Sequence, residues 1–212
     1  MKQLVATPGY LPPIAYMSVW MDQPEVVFLN DSFYQKQTYR NRTTIYGANG
    51  KLNLTIPIAH TPTSGRRKDL EVKIHNTTPW QHNHWKSFEA AYRSSPFFEF
   101  YEDHFIPFYQ KDFETLFEFN SQLIQTFFEL IDHPKKVVLS AFDQNAQTDF
   151  SHFLNAKTSP PPTPIYTQVF ENKKGFLSNL SCIDLLFNLG PETATYLKNF
   201  STHQINASKS LH

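Results

Sequence analysis

Residues 30–42, NDSFYQKQTYRNR, gather one acid (Asp31), three bases (Lys36, Arg40 and Arg42), the amide Asn41 and the aromatics Phe33, Tyr34 and Tyr39. Lysine offers a point charge and arginine a planar fork of donors, and together they match a phosphate or a carboxylate. Rings between the bases could wall a pocket. Asp31 has the chemistry of a general base or of an acceptor for a sugar hydroxyl. The plain reading is a solvated loop whose bases pair with Asp31 or Glu25, with Asp31 serving a turn. The residues leave both readings open. Single-stranded nucleic acid would suit the same mixture, but lysine plus arginine and aspartate plus glutamate number 19 each. No global field therefore draws nucleic acid or a membrane surface.

A second group of chemical interest is His82 and His84. Two residues apart on a helix they face different ways, so they cannot clasp one metal ion, and no metal is expected. His84 shares an apolar stripe with Trp80, Phe88, Ala91 and Tyr92. A hydrogen-bonded histidine at a helix–sheet boundary and a catalytic acid/base are equally good readings of it. Asp103 and His104 are adjacent in sequence, but no Gly-x-Ser-x-Gly elbow is present to build a triad. Arg66, Arg67 and Lys68 read as a loop tip that could close over an anion. Asn120 lies within the apolar stripe of a long helix and reads as a hydrogen-bonded core amide.

Composition narrows the rest. Only 6 glycines occur, with no phosphate-binding glycine loop. Cys182 is the single cysteine, so the chain has no internal disulfide, and its apolar helical context reads as buried packing. The opening MKQLVATPGY lacks a signal-peptide core, and no apolar run is long enough for a bilayer. A cytoplasmic location is expected, and no cofactor is indicated. The 20 phenylalanines and 10 tyrosines imply a large aromatic core, with surface enough to bury a homodimer or partner-enzyme interface.

Several elements must position these groups. Residues 3–6 read as a buried strand, 14–21 as a short helix after Pro12 and Pro13, and 26–29 as a second strand. This is a parallel βαβ unit. Ligands of such sheets bind beyond the carboxyl ends of strands, which makes 7–12 and 30–42 two walls of one cleft. Residues 43–46 and 52–58 flank a Gly47–Gly50 hairpin turn, and 70–74 alternate as another strand. Helices follow over 80–93 (Thr78 and Gln81 forming a capping box), 97–105 (stopped before Pro107), and 112–131. Residues 137–139 read as a buried strand and 141–159 as loop. A helix capped by Ser181 and another over 192–200 close the chain. The fold class is α/β: one domain over 1–205, a central mixed sheet with a parallel βαβ core and an antiparallel hairpin, packed by aromatic-rich helices. A frayed tail covers 206–212.

In this order and spacing the chain resembles the WbqC-like family over residues 3–200. The resemblance is carried by Pro8, Tyr10, Leu11, Pro12 and Tyr16, then by Asp31, Phe33, Lys36, Asn41 and Arg42. The strand 52–58 and Trp80, His84, Tyr92, Pro96 and Phe97 continue it. The ending GFLSNLSCIDLLFNLGPETATYL is similar to a Bacteroidetes-type subgroup. The resemblance implies work near surface-polysaccharide biosynthesis, on a nucleotide-linked sugar. Ala6 and Thr7 stand where the family has His-Gln. The expected function is group transfer to or from an anionic, nucleotide-linked sugar. Asp31 and His84 are the candidate catalytic residues, and Tyr10, Lys36, Arg40, Asn41, Arg42, Trp80 and Tyr92 would bind the substrate. A non-catalytic binding or scaffold protein is the alternative. A nucleotidyltransferase-like site lacks its His-x-Gly-His motif.

Overall fold

The computed structural model describes residues 2–60, 65–157 and 162–209, without the side chains of 202–209. Strand β1 (Gln3–Val5), helix α1 (Ile14–Val19) and strand β2 (Glu25–Leu29) form the expected βαβ unit. The Ala6–Phe28 parallel bridge joins the two strands, with Ala6 N donating to Val27 O at 3.1 Å and Leu29 N to Ala6 O at 2.9 Å. Strand β3 (Arg42–Gly47) pairs with β4 (Gly50–Thr55) as an antiparallel hairpin in a sheet of its own. Helices α2 (Trp80–Tyr92), α3 (Phe98–Gln110) and α4 (Leu116–Leu130) supply most of the aromatic core. Strand β5 (Lys136–Ser140) pairs with β2 and β6 (Gln147–Asp149) with β1, both parallel. The Ala6–Phe28 bridge thus links two two-stranded parallel sheets, β6 with β1 and β2 with β5. The short helix α5 (Glu171–Lys174), α6 (Cys182–Leu189) and α7 (Thr193–Lys209) complete the chain. Among the described residues no helix is long and apolar enough to cross a membrane.

The α/β class, the βαβ start and the helix stripes match the sequence reading. Every stripe residue of α2, from Trp80 to Tyr92, is buried. Other elements differ, each for a physical reason. Residues 147–149 form a strand inside the expected loop; QTD has no apolar alternation, and only pairing with β1 makes it a strand. The alternating stretch 70–74 is a 3-10 turn, Asp69–Glu71, with isolated bridges after it, because Asp69 is drawn inward by an ion pair. Helix α3 runs through Pro107. Phe105, Phe108 and Tyr109 are buried around it, and that packing outweighs the lost backbone bond. Strand β5 is an edge strand with Leu139 half exposed, not a buried one. Neither expected capping box is made: Pro79 precedes α2 without a side-chain cap, and the Ser181 hydroxyl donates to Leu11 O at 2.9 Å. Helix α7 continues past Phe200 to Lys209, and residues 210–212 of the expected tail lie outside the described residues.

One buried carboxylate ties the C-terminal third to the hairpin. Asp184 on α6 accepts from Tyr92 (2.8 Å), Tyr166 (2.6 Å) and Gln168 (3.3 Å). Burial pushes its carboxyl up to about 6, while the three donors pull it back down. Gln168 in turn exchanges two bonds with the Leu177 backbone, and the Tyr46 hydroxyl donates to Gly175 O at 2.6 Å. The 163–180 segment is thereby folded over the end of the hairpin. Asp184→Ala leaves the buried Tyr92 and Tyr166 phenols without their acceptor. It should lower stability by about 3 kcal/mol or more, read from urea unfolding; a loss under about 1 kcal/mol would contradict this account.

Candidate functional site

The hairpin has two faces. Directly paired residues share a face, so Arg42 with Thr55, Thr44 with Asn53 and Tyr46 with Lys51 lie on one side, and Thr43, Ile45, Leu52 and Leu54 on the other. Ile45 and Leu54 are buried in the core. The Arg42 face forms the floor of a groove. Its larger chamber, about 380 Å³, is lined by Tyr34, Lys36, Gln37, Asn41, Arg42, 55–60 and Arg67. A second chamber, about 260 Å³, is lined by Tyr39, Arg42, Thr44, Lys51, Asn53, Ala156, Asn179 and Leu180. Arg42 belongs to both.

The electrostatics of this groove are one-sided. Lys36, Arg42, His60 and Arg67 line the larger chamber and Lys51 the other, and neither lining contains a carboxylate. The Arg42 Nε is buried without a hydrogen-bond partner. Tyr34 is half-buried, and burial pushes its phenol up to about 12, with the Asp69 charge adding to the rise and Arg40, Arg42 and Arg67 opposing it. Asn41 is occupied structurally: its Nδ2 donates to Ile56 O at 2.9 Å, fixing the exit of β4 against the loop.

The sequence placed nine residues in the site, and the fold divides them. Lys36, Asn41 and Arg42 come together on the groove. Arg40, adjacent to them in sequence, turns inward: its Nε lies 3.1 Å from Asp69 Oδ1, and it is 4% exposed. Asp31 is not among the lining residues. Its carboxylate accepts from Phe142 N at 3.1 and 3.2 Å, holding the exit of β5. Tyr92 is buried on Asp184.

Tyr10, Trp80 and His84 form a buried cluster. His84 Nδ1 lies 2.8 Å from the Tyr10 hydroxyl, which lies 3.0 Å from that of Tyr109. Trp80 packs edge-on against the imidazole at 5.2 Å and donates from Nε1 to Asn76 Oδ1. Burial lowers the His84 pKa to about 4, partly opposed by a hydrogen bond to the Thr55 backbone. His84 is therefore neutral at pH 7, and its link to the groove is the Thr55 backbone.

The expected wall at 7–12 is also different. This loop meets 30–42 through Tyr10 N and Tyr39 O at 2.8 Å, but Thr7, Tyr10 and Leu11 are buried. A Cβ on Gly9 would come within 2.6 Å of Leu154 Cδ2, so the loop is packed shut. The actual opposite wall is 55–60 with Arg67. Sequence reasoning treated Arg67 as a loop tip and passed over Lys51, Asn53, Thr55 and Asn179. The available signal was the polar alternation Arg42–Thr44 and Lys51–Asn53–Thr55 within a hairpin whose other face is apolar. Among the described residues no group of three His, Cys, Asp or Glu could hold a metal ion.

The His84 environment has a pH signature. Its imidazole takes up a proton near pH 6.5 when unfolded but only near 4 when folded. Protons therefore favour the unfolded chain, and this contribution to stability is lost as pH falls from about 6.5 towards 4. Between pH 7 and pH 5 the loss amounts to about 2 kcal/mol. In His84→Gln, which keeps an acceptor for Tyr10, the drop in unfolding free energy between these pH values should be smaller by that amount. Equal drops in both proteins would refute the assignment.

Comparison with known proteins gives a consistent placement. The chain is 23% identical to an uncharacterised protein of Mycobacterium tuberculosis, Rv1507c, over 93% of this chain and 97% of that protein. No solved structure matches it. The model of the WbqC-like protein family matches residues 7–158, most of the chain. Every residue of the larger chamber lies within that span, whereas Asn179 and Leu180 of the second lie beyond it. The chain thus belongs to the WbqC-like protein family.

Proposed function

We propose that the groove binds an anionic, nucleotide-linked sugar and that the protein takes part in group transfer to or from it, in surface-polysaccharide metabolism in the cytoplasm. The observation that carries this reading is Arg42, partly exposed and shared by both chambers, in a groove whose lining among the described residues holds several bases and no carboxylate. A bound phosphate would supply the counter-charge and the acceptors that these bases do not find in the groove lining. In a chain of zero net charge, such segregation favours an anion at this place over a general attraction. The polysaccharide context comes from the family resemblance, and the ending of the chain supports the Bacteroidetes-type subgroup.

In this reading Lys36 and Arg42 hold the phosphates, and Tyr34 offers a ring and hydroxyl beside them. The apolar residues Ile56, Pro57 and Ile58 form the wall for a base or sugar face. Catalysis by such a site is by positioning and charge stabilisation. His84 acts as a positioning residue through Thr55, and Asp31 supports the loop from outside the groove. A non-catalytic sugar-nucleotide-binding or scaffold role is the second reading. It is favoured by the absence of a carboxylate base from the groove and by the full burial of Ala6 and Thr7, the positions of the family's His-Gln.

A thermal-shift screen with nucleoside diphosphates and their sugar conjugates tests the site. A ligand at about a hundred times its Kd should stabilise the protein by about 2.7 kcal/mol. Arg42→Ala should reduce affinity at least about tenfold, the loss of one charge-assisted contact. Absence of binding, or binding indifferent to Arg42→Ala, would refute the anion site. Product analysis of the best ligand then separates transferase from binding protein.

A further inference from the structure

The second chamber presents an unusual hydrogen-bond inventory. Asn179 spends its Oδ1 on the Ala15 N–H at 2.8 Å, and Asn53 spends its Oδ1 on the Thr44 hydroxyl at 2.7 Å. Both amides are left with Nδ2 donors. Lys51 is exposed and has no ion-pair partner among the described residues. Arg42 stands at the partition from the larger chamber. Among side chains the lining thus offers the donors of Arg42, Lys51, Asn53 and Asn179, with the Tyr39 and Thr44 hydroxyls as acceptors and no carboxylate. An acidic sugar differs from its neutral counterpart by a carboxylate, which only accepts, in place of a hydroxymethyl group, which also donates. The hairpin floor also fixes an order along its face: Arg42 with Thr55, then Thr44 with Asn53, then Lys51. Successive rows are about 6–7 Å apart, two residues of strand.

From this arrangement we infer that the second chamber is the glycosyl subsite and that it selects an acidic sugar, its phosphate on Arg42 and its carboxylate towards Lys51 and Asn179. The inference rests on the anion-binding reading of the groove and adds the class of sugar. The subsite is built from two distant parts of the chain. Asn179 is held at φ 54° and roofs the chamber because the 163–180 segment is folded over the hairpin. A left-handed backbone suits asparagine better than most residues, and the same geometry directs its oxygen to Ala15.

The test uses inorganic pyrophosphate, glucose 1-phosphate and glucuronic acid 1-phosphate, titrated calorimetrically against the full-length protein. Glucuronic acid 1-phosphate should bind about tenfold tighter than glucose 1-phosphate, the scale of one charge-assisted contact. Lys51→Met, at an exposed position, should bring the two sugars within about twofold and weaken pyrophosphate less than it weakens the acidic sugar. Asn179→Asp keeps the acceptor for Ala15 but places a carboxylate in the chamber, and it should weaken the acidic sugar more than the neutral one. Equal affinity for the two sugars, or a preference that survives both substitutions, overturns the acidic-sugar subsite. If pyrophosphate still binds in an Arg42-dependent way, the anion site stands while the subsite falls. If neither the phosphates nor any nucleotide binds, both fall together.

Discussion

The ion pair between Arg40 and Asp69 holds the two walls of the groove in register. Its partners come from different loops, are 4% and 6% exposed, and meet at 3.1 Å. Ser32 adds a hydroxyl to Asp69 at 2.7 Å, and Asp69 N returns a bond to Ser32 O at 2.9 Å. The 30–42 loop carries Tyr34, Lys36 and Arg42, and the stretch before Asp69 carries Arg67. Tyr34 N bonds to Arg67 O at 2.9 Å, so one backbone contact continues what the charges begin. Buried pairs add little net stability once desolvation is counted, but removing one partner strands a charge at a cost of about 3–5 kcal/mol. The pair is best understood as a device of specificity: it fixes which bases face inward and which face the groove.

Behind the groove the fold is an aromatic solid. Phe119 alone packs against Tyr10, Trp80, Phe108, Tyr109 and Phe113. Rigid rings at such density leave the Tyr109–Tyr10–His84 hydrogen bonds little freedom, and they hold the core face of the hairpin. Asn120 adds a polar stitch, donating to Arg40 O at 2.7 Å and Pro8 O at 3.3 Å. The loop 8–12 carries strain of its own. Leu11 sits at φ 38°, an uncommon conformation for a bulky residue, and its carbonyl is held by the Thr43 and Ser181 hydroxyls. Those two bonds connect the first loop to the hairpin and to α6, so the strained turn works as a junction beneath the groove.

Charge segregation is what sets the groove apart from the rest of this scaffold. Acids elsewhere are used in pairs: Glu114 with Lys73, Glu89 with Lys86 and Arg93, and Glu102 with Arg93. Asp31 and Asp184 satisfy backbone or side-chain donors outside the groove lining, and Asp69, behind Tyr34, is paired with Arg40. The groove keeps its bases and excludes the acids, although the chain as a whole is neutral. This is a local field created by folding, and composition cannot express it.

Local pattern alone specifies the α/β class, the opening βαβ unit, the hairpin and the buried stripe of α2, because each depends on periodicity and on proline or glycine at defined points. It also located one wall of the groove, since Lys36, Asn41 and Arg42 stand close together in the chain. Packing between distant segments decided that Arg40 leaves this group for Asp69, 29 residues away. It likewise decided that QTD at 147–149 is a strand, and that Lys51, Asn53 and Asn179 share a chamber. The physical reason is the same in each case. A local pattern records which face of an element is apolar, but the partner of a charge or of an unpaired backbone edge is chosen from residues distant in sequence.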